Sequence, residues 1–220
     1  KEGCRGRVKM NFDRSEWIGN WENFELYFTD DAPAMVRSWE DAEKSVKENK
    51  NGLISAILFR HGAKRFWQDA CYTVNKENPV MLGGWKVEPS GTVDIMIEWI
   101  DVAGRSLGCY TYGLDMVVEK GLEGKINYIL RAYDAPDGCP FRYMLSMPPM
   151  PEHEEKNRGG LISHLHFQYA SGRNMLIKAN GKLKNPHWYA TMCDRDAALL
   201  QRCNIVRAMH KLDTWDRLPE

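Results

Sequence analysis

From Met81 onward the hydrophobic period of this chain is two, broken repeatedly by turn-forming residues. Val93, Ile95, Ile97 and Trp99 alternate with Thr92, Asp94, Met96 and Glu98 after the Pro89-Ser90-Gly91 turn. That alternation puts one set of side chains on each face of an extended chain, the pattern of a half-buried β-strand. Further strands are predicted over 80–87, 106–118, 126–133, 141–146 and 161–169. Between them lie the turn signals Val102-Ala103-Gly104, Gly121-Leu122-Glu123-Gly124 and Ala135-Pro136-Asp137-Gly138. Short turns between regularly spaced strands make an antiparallel meander, and six or more such strands tend to close into a barrel.

The flanks read as helix. Asp30-Asp31-Ala32-Pro33 sets acidic residues before an early proline, a helix start. Met35, Val36, Trp39, Ala42, Glu43 and Val46 follow at near-helical spacing, and Asn49-Lys50-Asn51-Gly52 ends that run. Leu53, Ile54, Ile57, Leu58 and His61 predict a second helix over 53–70, interrupted near Gly62. Beyond the strands, Asp194 or Asp196 is the expected cap of a helix carrying Leu199, Cys203, Val206 and Met209 and ending near Leu212. The expectation is one domain over 1–220, mainly β with flanking helices. Its helical part spans about 15–71, its barrel about 80–170 and its C-terminal helix about 194–212.

The last predicted strand carries the chemistry. In Gly159-Gly160-Leu161-Ile162-Ser163-His164-Leu165-His166-Phe167-Gln168-Tyr169 two imidazoles sit two residues apart. On a strand they share one face about 7 Å apart, a separation from which two ring nitrogens can converge on one cation. His153 lies upstream, after Met147-Pro148-Pro149-Met150-Pro151, and the whole chain has six histidines. The opposite face of the strand holds Leu165, Phe167 and Tyr169. An apolar face of that kind ordinarily sends the histidines to solvent, whereas helices covering it outside a closed barrel would turn them into the interior. The other histidines read as structural: His187 packed toward Trp188 and the C-terminal helix, His61 and His210 exposed or satisfied within helices.

Composition removes several function classes. Lys+Arg and Asp+Glu are 30 each, so the formal charge is zero and nothing favours a nucleic-acid or membrane-surface partner. No apolar run approaches eighteen residues, so no membrane span is expected. Lys1–Arg7 has no apolar core, which implies a signal peptide absent or removed. The cysteines at 4, 71, 109, 139, 193 and 203 form no C-x-x-C pair, and both free thiols and one or two bridges fit that spacing.

The order of these elements resembles the ZinT family of lipocalin-like (calycin) zinc-binding proteins of the bacterial periplasm, also found fused to some zinc-uptake lipoproteins. Members open with a Ser-x-Trp-x-Gly-x-Trp element, matched by Ser15-Glu16-Trp17-Ile18-Gly19-Asn20-Trp21. A late strand with Ser-His-x-His-Phe is matched by Ser163-His164-Leu165-His166-Phe167. An Asn/His-Trp-x-x-Thr segment before the terminal helix is matched by His187-Trp188-Tyr189-Ala190-Thr191. The resemblance covers about residues 11–212. It implies a calycin-like antiparallel β-barrel and zinc held near the barrel mouth by His164, His166 and a loop histidine. His153 takes the third place if the loop here is slightly longer. The His-rich N-terminal tail of several members is missing, and the family disulfide is matched only at Cys109. Periplasmic or other extracytoplasmic residence and a zinc-transporter component as partner are implied by the resemblance; the sequence is also compatible with the cytoplasm.

Three neutral imidazoles leave a tetrahedral zinc one open position and need acceptors for their second ring nitrogens. Glu152, Glu154 and Glu155 flank His153 as candidate acceptors or a fourth ligand, although a solvated charged loop is the commoner fate of such a run. The first functional expectation is a Zn²⁺-binding protein for uptake, buffering or delivery, with other divalent transition metals compatible with the same ligands. The alternative is a metal-dependent enzyme acting on a small organic substrate in the barrel, with Trp85, Trp99, Tyr110, Tyr112, Tyr128 and Tyr143 as its walls. A carrier of apolar ligands, with the histidines incidental, is the third.

Overall fold

The computed structural model describes residues 12–48, 57, 59–78, 81–151 and 162–219. Eight antiparallel strands form a closed barrel in sequence order, with helices on its outside. The strands are β1 (Gly19–Asn23), β2 (Leu82–Ser90), β3 (Asp94–Asp101), β4 (Ser106–Val118), β5 (Asn127–Ala132), β6 (Tyr143–Ser146), β7 (His164–Ala170) and β8 (Ala190–Asp194). The helices are α1 (Pro33–Lys47), α2 (Ala63–Asn75) and α3 (Leu199–Met209), with a shorter helical turn at Arg173–Leu176.

The six strands expected from periodicity form within a few residues of their expected bounds. Closure depends on the two that were not expected. β1 pairs with β2 on one side and with β8 on the other, Trp21 opposite Asp194 and Glu22 opposite Cys193. Both are five residues long, and all of β8 is buried. A strand covered on both faces carries no alternation of polar and apolar residues, so it is invisible to a period-two reading. Close pairing on β2 also fixes residue type: a Cβ at Gly84 would lie 2.1 Å from the carbonyl oxygen of Trp21.

Aromatic rings fill the lumen. Trp85 on β2 and Phe167 on β7 have ring centroids 4.7 Å apart although their strands are not neighbours, so this contact crosses the interior. Trp99 on β3 stacks on Phe141 at 4.3 Å and meets Tyr169 of β7 edge-on at 5.4 Å. Trp99 Nε1 donates to the Tyr112 hydroxyl at 2.9 Å, and that hydroxyl donates to the Phe141 carbonyl. Trp99 and Tyr112 are therefore both packed and partnered, whereas the buried indole N–H of Trp85 meets no acceptor among the described residues. Trp85, Trp99 and Tyr112 serve as core, not as the walls of a substrate chamber, and Tyr143 lies on the outer face with Leu145.

The helices pack as a second layer outside the barrel. Met35, Trp39 and Ala42 of α1 meet Trp67 of α2 and Ile205 and Val206 of α3, around Phe24, Tyr27 and Phe28. Pro33 occupies the first turn of α1, as its fixed φ and missing N–H favour. Ile57 is helical and residues 59–61 form a turn, so the expected 53–70 helix is interrupted near Gly62 as foreseen and resumes as α2, which runs on to Asn75; residues 49–56 and 58 lie outside the described residues. Its N-terminus is capped in trans: the Glu43 carboxylate accepts the N–H groups of Ala63 and Lys64, both at 3.0 Å. α3 starts at Leu199, because Asp194 is the end of β8 and its carboxylate accepts the Asp196 N–H in the following turn.

If the lumen is the stabilising core, Trp99→Ala should lower the unfolding free energy by about 3–5 kcal/mol, the usual cost of truncating a buried large aromatic. Urea denaturation followed by far-UV circular dichroism measures it, and a loss below about 1 kcal/mol would contradict the packing described.

Candidate functional site

His164 and His166 do share one face of β7, with ring centroids 5.5 Å apart. That face is neither solvent nor lumen. Leu165, Phe167 and Tyr169 take the interior, so the imidazoles stand on the outer wall, where covering segments bury them to 8 % and 3 % exposure. Across the strand pair His164 faces Cys193 and His166 faces Thr191. The expectation that covering helices would turn the histidines inward fails for a simple reason. The barrel interior is the larger apolar volume, and three big apolar side chains compete for it against two imidazoles.

Each ring is held through its Nδ1. His164 Nδ1 lies 3.1 Å from the Ile162 carbonyl, to which it can only donate, leaving its Nε2 with a lone pair. His166 Nδ1 lies 2.8 Å from the Thr191 hydroxyl. The Nε2 of His166 is 3.3 Å from the Glu123 carboxylate, and Tyr189 lies against the same ring at 4.2 Å between centroids. The Tyr189 hydroxyl donates to Glu123 at 3.2 Å, and the Lys125 ammonium is 3.5 Å from its other oxygen.

Glu123 comes from the β4–β5 turn. Leu122 is buried in a satellite core with Val118, Ile129 and Leu145, and its N–H is accepted by the side chain of the fully buried Asn127. Gly121 N–H closes on the Lys125 carbonyl at 2.7 Å. This anchoring holds Glu123 at φ 54°, ψ 19°, a left-handed conformation that costs a non-glycine residue about 1 kcal/mol or more. Sequence reasoning saw Gly121–Gly124 only as a turn. Two glycines around a glutamate mark a tight bend and contain no signal that the side chain folds back onto β7.

The electrostatics follow from burial and pairing. Burial holds the His164 pKa at about 4, with His166 beside it adding to the same effect, so the ring is neutral at pH 7. Hydrogen bonding from His166 brings Glu123 down to about 2, against the opposing effect of partial burial. Burial and then the Glu123 charge raise the Tyr189 phenol well above its ordinary value.

A cleft of about 530 Å³ opens beside these groups, lined by Phe66, Glu123, Pro186, His187, Trp188 and Tyr189 with the backbone of Gly121 and Gly124. Phe66 and Trp188 lie 5.8 Å apart at 33° between ring planes, forming one wall. Gln168, next along the outer face of β7, donates to the Asn185 and Trp188 carbonyls and so holds that wall in place. His187 is exposed on the cleft rim and does not pack toward the C-terminal helix as expected. His210 is the satisfied core histidine foreseen, taking the Trp67 indole N–H at 3.3 Å, and His61 is exposed beside Arg60.

His153, Glu152, Glu154 and Glu155 lie outside the described residues. The chain on either side of them is anchored at this site: Met150 and His164 exchange backbone hydrogen bonds of 2.8 and 3.0 Å, and the Ser163 hydroxyl donates to the Pro151 carbonyl. Among the described residues no group of three or more His, Cys, Asp or Glu side chains is arranged to hold a metal ion as it stands. The described cysteines, Cys71, Cys109, Cys139, Cys193 and Cys203, are free thiols, and no described helix is long and apolar enough to cross a membrane. Protein-family models, curated proteins and solved structures return no match to the chain. The ZinT resemblance rests on its sequence elements alone.

The buried neutral imidazole makes stability depend on pH. On acidification the unfolded chain protonates His164 near 6.5 while the folded chain resists until about 4. Stability from this group is intact above 6.5 and is lost as pH falls toward 4, up to about 3 kcal/mol in the metal-free protein. Glu123 acts only below its ordinary 4.5, and His210, also lowered by burial, contributes a slope of the same sign as His164. Urea midpoints between pH 7 and 5 should therefore fall less in His164→Gln than in the parent; equal slopes would refute a buried neutral ring.

Proposed function

We propose that this protein binds one divalent metal ion, zinc being the expected one, through His164 and His166, and that it serves zinc uptake, buffering or delivery. The observation that carries the reading is the pair of imidazoles on one face of β7, each tied at Nδ1, with the Nε2 of His166 facing Glu123. Metal ligation requires a deprotonated ring nitrogen whose partner nitrogen is held by an acceptor. His164 meets both conditions, since it is neutral at pH 7 and its Nδ1 is occupied by a carbonyl. His153, on the segment that leaves the site at Pro151, is the proposed third ligand, with Glu152, Glu154 or Glu155 as acceptor or fourth. A zinc-transporter component as recipient and an extracytoplasmic location belong to the same proposal and come from the resemblance.

The cleft favours a second reading, a metal-dependent enzyme acting on a small organic molecule. Its volume, about 530 Å³, falls in the range of small-molecule sites, and it borders Glu123 and Tyr189, both in contact with His166. A divalent ion bound there would supply Lewis acidity. The residues of the chain would supply the aromatic walls and the carboxylate beside the ion.

Elemental analysis of the purified protein, followed by Zn²⁺ titration of the metal-free form, tests the binding reading. One equivalent per chain is expected, with affinity lower by on the order of 100-fold or more in the His164→Ala/His166→Ala double variant. Stoichiometric uptake that survives in the folded double variant would overturn it.

A further inference from the structure

Three large rings stand part-exposed around one open space. Phe66, Trp188 and Tyr189 are each half-buried, and all three line the cleft of about 530 Å³. Phe66 comes from α2 and the other two from the segment before β8, so the wall is assembled from the helical layer and the barrel together. Gln168 braces it from beneath through the Trp188 carbonyl. A braced, part-exposed aromatic wall suits an apolar body taken from solvent. The charge set against that wall is negative: Glu123 is in the lining, ionised at neutral pH, and neither Lys nor Arg is among the described lining residues. The two carboxylate oxygens are used unequally. His166 Nε2 and the Tyr189 hydroxyl both approach Oε1, at 3.3 and 3.2 Å. At Oε2 the Lys125 ammonium stays at 3.5 Å, beyond the 2.7–2.9 Å or so of a charge-assisted hydrogen bond, and lies 2.8 Å from the Met150 thioether instead.

We propose that this cleft binds a small primary amine, its ammonium at Oε2 of Glu123 and its flat apolar body against Phe66 and Trp188. The site uses the chain as it stands and does not rest on a bound metal ion. An ammonium carries three donors on a compact charge and can close on the oxygen that Lys125 leaves at a distance. Aromatic rings around the path of that charge add attraction wherever it passes within about 6 Å of a ring centre. A carboxylate on the same apolar body would meet Glu123 as a like charge and be rejected. An inorganic cation would gain nothing from the aromatic wall, so wall and carboxylate together select an organic cation. The Glu123 backbone, held in the left-handed region by the anchored turn, keeps the carboxylate in place before the ligand arrives.

Isothermal titration calorimetry of the full chain in EDTA tests this with phenethylammonium, 2-phenylethanol and 3-phenylpropionate, which share one body and differ in charge. The parent should bind phenethylammonium on the order of 10-fold more tightly than 2-phenylethanol, the gain of one charge-assisted hydrogen bond, and 3-phenylpropionate more weakly than either. Trp188→Ala should weaken the ammonium and the alcohol alike, on the order of 10-fold. Glu123→Gln should bring the ammonium down to the affinity of the alcohol while the alcohol binds as it does to the parent. Lys125→Met, which removes a competing cation and no part of the lining, should tighten phenethylammonium by about 3-fold. Failure of the parent to bind any of the three, or an alcohol or carboxylate bound as tightly as the ammonium, would overturn the proposal. If Glu123→Gln weakens the alcohol as much as the ammonium, the carboxylate shapes the cleft without reading charge, and the assignment to amines falls. None of these outcomes depends on Zn²⁺ uptake, so failure here is distinct from failure of the metal-binding reading.

Discussion

The aromatic packing across the barrel lumen decides where everything else can go. Trp85 and Trp99 on the paired strands β2 and β3 meet Phe167 and Tyr169 of β7 and the ring of Phe141 across the interior, so together they occupy the volume that barrel closure creates. Burying several large rings in one contiguous core outweighs any other use of that space, because each removes a large apolar area from water. Once Phe167 and Tyr169 are committed inward, the alternation of β7 leaves His164, His166 and Gln168 no choice but the outer wall. The candidate site is a by-product of core packing on the opposite face of the same strand.

Polar groups on an outer wall are normally solvated. Here they are buried because three kinds of cover converge on β7: the β4–β5 turn with Glu123, the segment 185–189 with Trp188 and Tyr189, and the chain ends at Met150–Pro151. The chain flanking β7, its neighbour β8 and these covers together supply acceptors and donors for what is buried. Ile162 and Thr191 satisfy the Nδ1 atoms, Glu123 meets His166, and Gln168 ties down the cover itself. A buried polar cluster satisfied in this way is rigid, which is the condition for a binding site of defined geometry. The helical layer covers the outer face of β8 around Cys193 with apolar contacts and with the Tyr27–Glu22–Arg202 hydrogen-bonded group.

Particular elements show what the sequence made legible. β4 was readable to the residue because one of its faces is wet and its ends are marked by turns. α1 was readable from Pro33 and the spacing of Met35, Trp39 and Ala42. β1 and β8 were not, being five residues each, with β8 buried throughout and β1 buried at Trp21, Glu22 and Asn23. Of the site, His164 and His166 were legible from their spacing and from the apolar residues between and beyond them. Glu123 was not, because it is far from them in sequence and sits in a turn whose residue types report only backbone conformation. His187 was misplaced because a histidine next to tryptophan suggests packing, while the chain there serves as the rim of a cleft.

By itself, then, the sequence determined a barrel of alternating strands, its helical flanks and the pairing of two imidazoles on one strand face. All of these follow from local periodicity, which is a property of neighbouring residues. Only the tertiary structure decided which face of β7 points inward, which distant turn reaches the imidazoles, and that a cleft opens beside them between Phe66, Trp188 and Glu123. Those outcomes depend on competition between whole surfaces for one interior. No stretch of sequence records that competition, because its result depends on the volume of side chains contributed by strands far apart in the chain.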